Sequence, residues 1–250
     1  MIYVSLGAGV QSSALLLASD RGLRDIPQAD IAIFADTQDE PAWVYEQLEL
    51  LRRSVSIPIQ IVTAGQLSKA GAGFLRIPAF TRSENGEVGM TRRQCTSEFK
   101  IRPIQRYIRS LGHTSKNPAT SMLGISTDEA HRMKPSVAKY ILNTYPLVDA
   151  GMNKQDCIRL INGCGLPTPK KSACVFCPYH SNGYWLELKR NHPDEWTRAV
   201  EYDAEIRNST KAGVRLPAYI HRSGRPLSEV DLSENQIELF GNECAGVCGI

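Results

Sequence analysis

Apolar residues along the first sixty positions come in short runs, separated by polar helical stretches. Ile2 to Leu6 is an apolar run of strand length, followed at once by Gly7-Ala8-Gly9. Ser12 to Ala18 predicts a helix whose buried side is supplied by Leu15, Leu16 and Leu17. Ile31 to Ala35 predicts a second strand. Asp39-Glu40-Pro41 reads as a helix start, with acids at the positive end of the dipole and proline in the first turn. That helix is predicted to run to Arg53, and Ile57 to Val62 predicts a third strand. Strands alternating with helices in this order imply a parallel sheet covered by helices on both faces.

The pattern weakens after residue 63. Gly65, Gly71, Gly73, Gly86 and Gly89 punctuate a polar stretch that reads as one long loop over 64–94. Lys100 to Leu111 has Ile101, Ile104, Tyr107, Ile108 and Leu111 at helical spacing. Met122 to Ser126 and Tyr140 to Val148 predict a fourth and a fifth strand. A helix over Asn153 to Asn162 ends at Gly163, and a Pro- and Lys-rich loop runs from Leu166 to Ser172. Two further helices are predicted, at about Gly183 to Arg190 and Asp194 to Asn208, before a tail ending in Cys244-Ala245-Gly246-Val247-Cys248. This change of character divides the chain into an α/β domain over 1–150 and a cysteine-rich helical lobe with its tail over 151–250.

With 250 residues, 42% of them apolar, the chain is long enough to bury a sizeable core. No apolar run has the length needed to span a bilayer, so no membrane partner is expected. The N-terminal Met1-Ile2-Tyr3-Val4 lacks the basic region of a signal peptide, which makes the cytoplasm the expected compartment. A net charge of +3 is too small for a general nucleic-acid coat but leaves room for a local phosphate-binding patch. Seven cysteines are the unusual feature of the composition. In a reducing compartment, closely spaced cysteines more often bind metal or do chemistry than form disulfides.

The segment Ser5-Leu6-Gly7-Ala8-Gly9-Val10-Gln11-Ser12-Ser13 lies between a predicted strand and a predicted helix. Glycines let backbone approach an anion, and the helix start aims unpaired N–H groups and its positive dipole end at it. Ser12 and Ser13 offer hydroxyls. Gly-Lys-Ser/Thr is missing, so this is not a Walker A loop, and the third glycine of the dinucleotide pattern is absent too. The segment resembles the PP-loop of the ATP pyrophosphatases and phosphoadenosine-phosphosulfate reductases, usually Ser-Gly-Gly-x-Asp-Ser before an apolar helix. Val10 stands where that loop commonly has Lys, and Gln11 where it has Asp. Two more segments match the same superfamily in order. Asp36-Thr37-x-x-Glu40 resembles the Asp-Thr-Gly motif after the second strand. Gly124-Ile125-Ser126-x-Asp128-Glu129-x-x-Arg132 resembles the Gly-Ile-Arg region after the fourth. The resemblance implies a five-stranded parallel sheet between helices, of the adenine nucleotide alpha hydrolase type, with a cysteine-rich helical C-terminal portion. It implies that Ser5, Gly7, Gly9, Ser12, Ser13, Asp36 and Gly124 bind an adenine nucleotide, and that Arg132 reaches a phosphate or sulfate as a forked donor.

Cys174-Val175-Phe176-Cys177-Pro178 is a C-x-x-C, whose spacing lets two thiolates bind one metal or cluster. The stretch around Cys95, Arg92-Arg93-Gln94-Cys95-Thr96-Ser97-Glu98-Phe99-Lys100, resembles the Cys-Cys segment of adenylylsulfate reductases, with Thr96 at the second cysteine. In those enzymes such a pair and a distant C-x-x-C hold a 4Fe–4S cluster. The resemblance therefore implies Cys95, Cys174 and Cys177 as ligands. The fourth position is either supplied by the tail, Cys244 or Cys248, or left open, and zinc is the alternative metal. Cys157 and Cys164 fall on one helix face with Leu160 and Ile161 and read as packing thiols. Lys170 and Lys171 precede Cys174, and with Arg92, Arg93, Lys100, Arg102 and Arg106 are expected to surround the cluster. His180 reads as a surface histidine, or one behind the metal ligands, and His221 carries no clear signal.

Three functions are carried forward. The first is an ATP-dependent, pyrophosphate-releasing sulfur transfer to a nucleobase, nucleotide or nucleic acid, with ATP, Mg²⁺ and a 4Fe–4S cluster, and with Cys248, Lys100 and Arg132 as catalytic candidates. The second is sulfonucleotide reduction by a tail cysteine. The third is a non-catalytic nucleotide sensor stabilised by zinc or a cluster. A homodimer is allowed for.

Overall fold

The structure is a computed structural model and describes residues 1–69, 76–207 and 216–233. In it the chain divides into two compact units, neither continuous in sequence. Among the described residues the first comprises Met1–Ala64 and Ser97–Ser172, and the second Gly65–Thr96 and the segment from Ala173 onward. Beyond the expected boundary at residue 150, α5 (Lys154–Gly163) places Cys157 and Ile161 in the same apolar core as Leu15 and Leu16.

The first unit is a five-stranded parallel sheet in the order β3-β2-β1-β6-β7. Its strands are β1 (Ile2–Leu6), β2 (Ile31–Asp36), β3 (Ile59–Thr63), β6 (Ala119–Leu123) and β7 (Ile141–Thr144). Register follows from the two-residue alternation of side chains. Val4, Leu6, Ala32, Phe34 and Met122 enter the core of one face, with α1 (Val10–Arg21), α2 (Ala42–Ser54) and α5. Tyr3, Ile33, Ala35, Ala119 and Ile141 enter the other, where α3 (Arg102–Ser110) contributes Ile104 and Ile108. The sheet thus lies between helices, as expected. Leu15, Leu16, Leu17 and Ala18 are all fully buried, because α1 is packed by the sheet on one side and by α5 on another. Cys157 and Cys164 are packing residues of this core, and burial pushes the Cys157 thiol up to about 12.

Several expected boundaries shift. The fifth strand is shorter than Tyr140 to Val148, because Pro146 opens a short helix, α4 (Pro146–Asp149). The helix expected at Lys100 begins as one wide π-type turn over Thr96–Ile101 before α3.

The second unit contains α6 (Asn182–Asn191) and α7 (Pro193–Arg207), close to the two helices expected there. The expected loop over 64–94 is corrected. It holds β4 (Phe80–Arg82) and β5 (Val88–Met90), which with β8 (Ala218–Tyr219) form a small antiparallel sheet in the order β5-β4-β8. The Asn85-Gly86 turn, with Gly86 at φ 88°, closes the β4–β5 hairpin. Gly71 and Gly73 lie outside the described residues. Among the described residues no helix is long and apolar enough to cross a membrane.

His221 of this unit is fully buried, with Nδ1 at 2.8 Å from Ser223 Oγ and Nε2 at 3.0 Å from Asn182 Oδ1. Burial, aided by the neighbouring Arg222 charge, drops its pKa from 6.5 to about 4. The folded protein therefore keeps the ring neutral over a range where the unfolded chain protonates it. Its contribution is fully present above pH 6.5 and is lost as pH falls towards 4. The size of this loss is about 3 kcal/mol. Urea unfolding at pH 7.5, 6 and 5 is expected to show the decline, and His221→Gln to flatten it. An equal slope in the variant would remove His221 as the cause.

Candidate functional site

The site is built at the carboxyl edge of the parallel sheet, where β1 and β6 are neighbours. The helix that follows β1 covers one face, and the helix that precedes β6 covers the other. Such a switch of direction opens a crevice beyond the strand ends.

Gly9 stands at the N-terminus of α1 in extended conformation (φ −90°, ψ 180°), and no side chain caps the helix. The first-turn amides therefore point out of the helix end with the positive dipole behind them. Within this loop the positive φ falls on Ala8 (55°), which is buried. Ser12 shapes the loop, since its hydroxyl accepts from Gly7 N at 3.1 Å and donates to Gly9 O at 3.3 Å. Ser13 is fully buried, and its Oγ has no hydrogen-bond partner among the described residues. Ser5 is buried one residue before the end of β1.

Gly124 follows β6 and touches this loop directly. A Cβ placed there would stand 2.7 Å from Ser12 N, 2.8 Å from Ser12 Cα and 2.9 Å from Gln11 C. Glycine at this position lets two backbones meet. Ser126, two residues on, is fully buried with an unpartnered Oγ among the described residues. Arg132 ends a 3-10 turn over Thr127–Arg132, and its Nη1 lies 2.7 Å from Glu129 Oε2. Asp128 accepts from Lys154 N at 3.1 Å and so fixes the start of α5 to the same strand end.

On the other side of β1, Asp36 closes β2. Its Oδ1 accepts from Gln38 N at 2.8 Å and from the Tyr45 hydroxyl at 2.9 Å, which holds Gln38 at φ 59°. Burial, with the hydrogen bond to Asp36, pushes the Tyr45 phenol well above its ordinary range. Glu40 is buried, accepts from Thr37 Oγ1 at 3.1 Å, and pairs with Lys100 Nζ at 3.1 Å. Lys100, expected in a basic ring around a cluster, pairs with Glu40 in the segment between β2 and α2.

A further contact has no counterpart in the sequence reading. The Ser172 hydroxyl donates to Gly7 O, and the Lys171 carbonyl accepts from Trp43 Nε1 at 3.2 Å. The Pro- and Lys-rich loop thus lies on the Gly7–Gly9 loop and on the first turn of α2. Trp43 and Ser172 were not singled out, because contacts across 128 and 165 residues leave no local trace.

In the second unit, the C-x-x-C forms a turn in which the Cys174 carbonyl accepts from Cys177 N at 3.0 Å and faces His180 Nε2 at 2.9 Å. A carbonyl only accepts, so His180 carries its proton on Nε2. His180 is not a surface residue. It is buried, stacks on Tyr184 at 3.3 Å between ring centres, and fastens the turn from below. Arg93 lies over the Tyr179 ring at 5.9 Å, so the segment before Cys95 meets the segment after Cys177. Among the described residues, however, no three His, Cys, Asp or Glu side chains are grouped to hold a metal ion. Cys244 and Cys248 lie outside the described residues. The described thiols alone therefore do not complete the four-ligand set expected of a cluster or a zinc ion.

The fold and this edge define a doubly wound parallel α/β protein with a glycine loop at its switch point, the architecture that the PP-loop resemblance implies. Comparison with solved structures finds phosphoadenylyl-sulfate (PAPS) reductase from Candida auris, solved as a phosphate complex. The two share 13% identity and a TM-score of 0.43, over 69% of this chain and 80% of that chain. No family model and no curated protein matches the chain.

Proposed function

We propose that the chain binds an adenine nucleotide by its phosphates at the N-terminus of α1 and uses ATP to activate a substrate oxygen for replacement by sulfur. The observation that supports this best is the loop itself: an uncapped helix end beside a buried Ser13 hydroxyl without a partner among the described residues, held against Gly124 at the sheet's switch point. Open amides and a fixed dipole are a standing anion site.

In this reading the loop amides hold the phosphates, and Mg²⁺ arrives with ATP as part of the substrate. The substrate oxygen attacks the α-phosphorus, the bond to pyrophosphate breaks, and pyrophosphate leaves. A sulfur nucleophile then displaces AMP from the activated carbon. Preorganised amides serve such a step because they need no reorientation as charge moves onto the leaving group. Arg132 and Lys100, the catalytic candidates of this edge, stand beside Glu129 and Glu40, so each approaches a phosphate only by sharing or exchanging its carboxylate partner. The substrate belongs to the nucleobases, nucleotides or nucleic acids.

Pyrophosphate release from ATP, measured across that substrate panel, tests the reading. Release that depends on one substrate is the expected result. Sulfite release from adenylylsulfate, abolished in Cys248→Ser or Cys244→Ser, would establish the reductase reading instead. Tight ATP binding with neither product would leave a sensor.

A further inference from the structure

The phosphate loop has no cation of its own. From Ser5 to Ser13 there is neither Lys nor Arg. A nucleotide polyphosphate carries several negative charges, whereas a helix N-terminus offers the equivalent of about half a positive one. Three successive residues far along the chain make up the difference in position. Ser172 is tied to the Gly7 carbonyl, and its Cβ is the nearest atom, at 3.7 Å, to a Cβ built on Gly9. The Lys171 carbonyl is tied to the indole N–H of Trp43. Lys170 Nζ lies 5.2 Å from the centre of the Trp43 ring. The segment is therefore fastened at one end to the phosphate loop and at the other to α2, while both lysines are exposed. All these residues belong to the first unit.

We infer that Lys170–Ser172 is an anion strap: its two lysines supply the ammonium groups that complete a site for a nucleotide polyphosphate or phosphosulfate, and Trp43 positions them. The inference rests on the reading of the loop as a nucleotide site. The sequence placed these lysines with the cysteine motif that follows them, and the fold ties their segment to Gly7 and Trp43. Strap and loop are joined through backbone carbonyls, so the backbone that carries the lysines is held in place. Each lysine, as a point charge, has reach but no fixed fork, which suits a ligand whose anion varies in shape.

Calorimetric titration of the full chain with ATP, adenylylsulfate and adenosine tests this. Wild-type protein is expected to bind the two anionic nucleotides. Lys170→Gln/Lys171→Gln is expected to bind them at least about 100-fold more weakly, at about tenfold per charged contact. Its thermal midpoint should stay unchanged, since both side chains are exposed, and Lys170→Arg/Lys171→Arg should recover most of the loss. Trp43→Phe, which keeps the ring and loses the N–H, is expected to weaken binding about fivefold. Wild-type affinity in the double Gln variant would overturn the strap while leaving the nucleotide site standing. If wild-type protein binds none of the three, the nucleotide site falls and the strap with it.

Discussion

Gly124→Ala is expected to cost about 3 kcal/mol of stability and to reduce nucleotide affinity about 100-fold. The added methyl would stand under 3 Å from Ser12 N, Ser12 Cα and Gln11 C, all atoms of the α1 backbone. No flexible side chain can move aside, so either the end of β6 or the start of α1 must shift. Gly124 is not at positive φ, so the effect is steric and does not come from backbone conformation. Overpacking costs of this kind run to about 1–3 kcal/mol, and a displacement of about 1 Å at a binding loop costs about two orders of magnitude. The displaced element is the one whose amides form the anion site, which is why binding should suffer more than folding. Urea unfolding and nucleotide titration read the two effects separately. A variant that matches wild type in both would show that the two backbones do not meet as described.

Asp203→Ala is expected to destabilise the second unit by about 4 kcal/mol. Asp203 lies on α7 and is 1% exposed. Its carboxylate accepts from Ile220 N at 2.8 Å, from Leu227 N at 3.0 Å and from Arg207 Nη2 at 2.6 Å. One side chain thus joins the helix to the segment just after β8 and to the 3-10 turn over Leu227–Glu229. Truncation leaves two buried amides and a partly buried guanidinium without their acceptor. Loss of one partner of a buried charge pair typically costs about 3–5 kcal/mol. Amide exchange should rise across residues 216–227 and stay unchanged in β1, β2 and β6. Unaltered exchange at Ile220 and Leu227 would refute the role.

The parallel sheet was legible because its strands are apolar runs of five or six residues joined by helices with a clear buried side. β4, β5 and β8 were not, since strands of two or three residues are too short to show alternation, and glycines dominated their surroundings. The site was half legible. Glycines after β1, acids after β2 and Gly124 after β6 mark strand ends where a backbone turns or approaches another. Their roles were not legible in the same way. The loop's left-handed residue is Ala8, Ser12 bonds within the loop, and Lys100 pairs with Glu40. Single histidines carry no periodic signal, so neither His180 nor His221 could be placed inside.

What the sequence determined by itself was the order of elements and the strand ends that matter, because both rest on local spacing, and local spacing is what propensity and hydrophobic period record. That β1 neighbours β6, that α5 joins the core of α1, that Gly124 closes on Ser12, and that Lys171 and Ser172 bond Trp43 and Gly7 were decided only by tertiary structure. Those relations join residues more than a hundred positions apart, and their energy comes from burial and close approach in the folded chain. No stretch of sequence holds both partners of such a contact, so none could announce it.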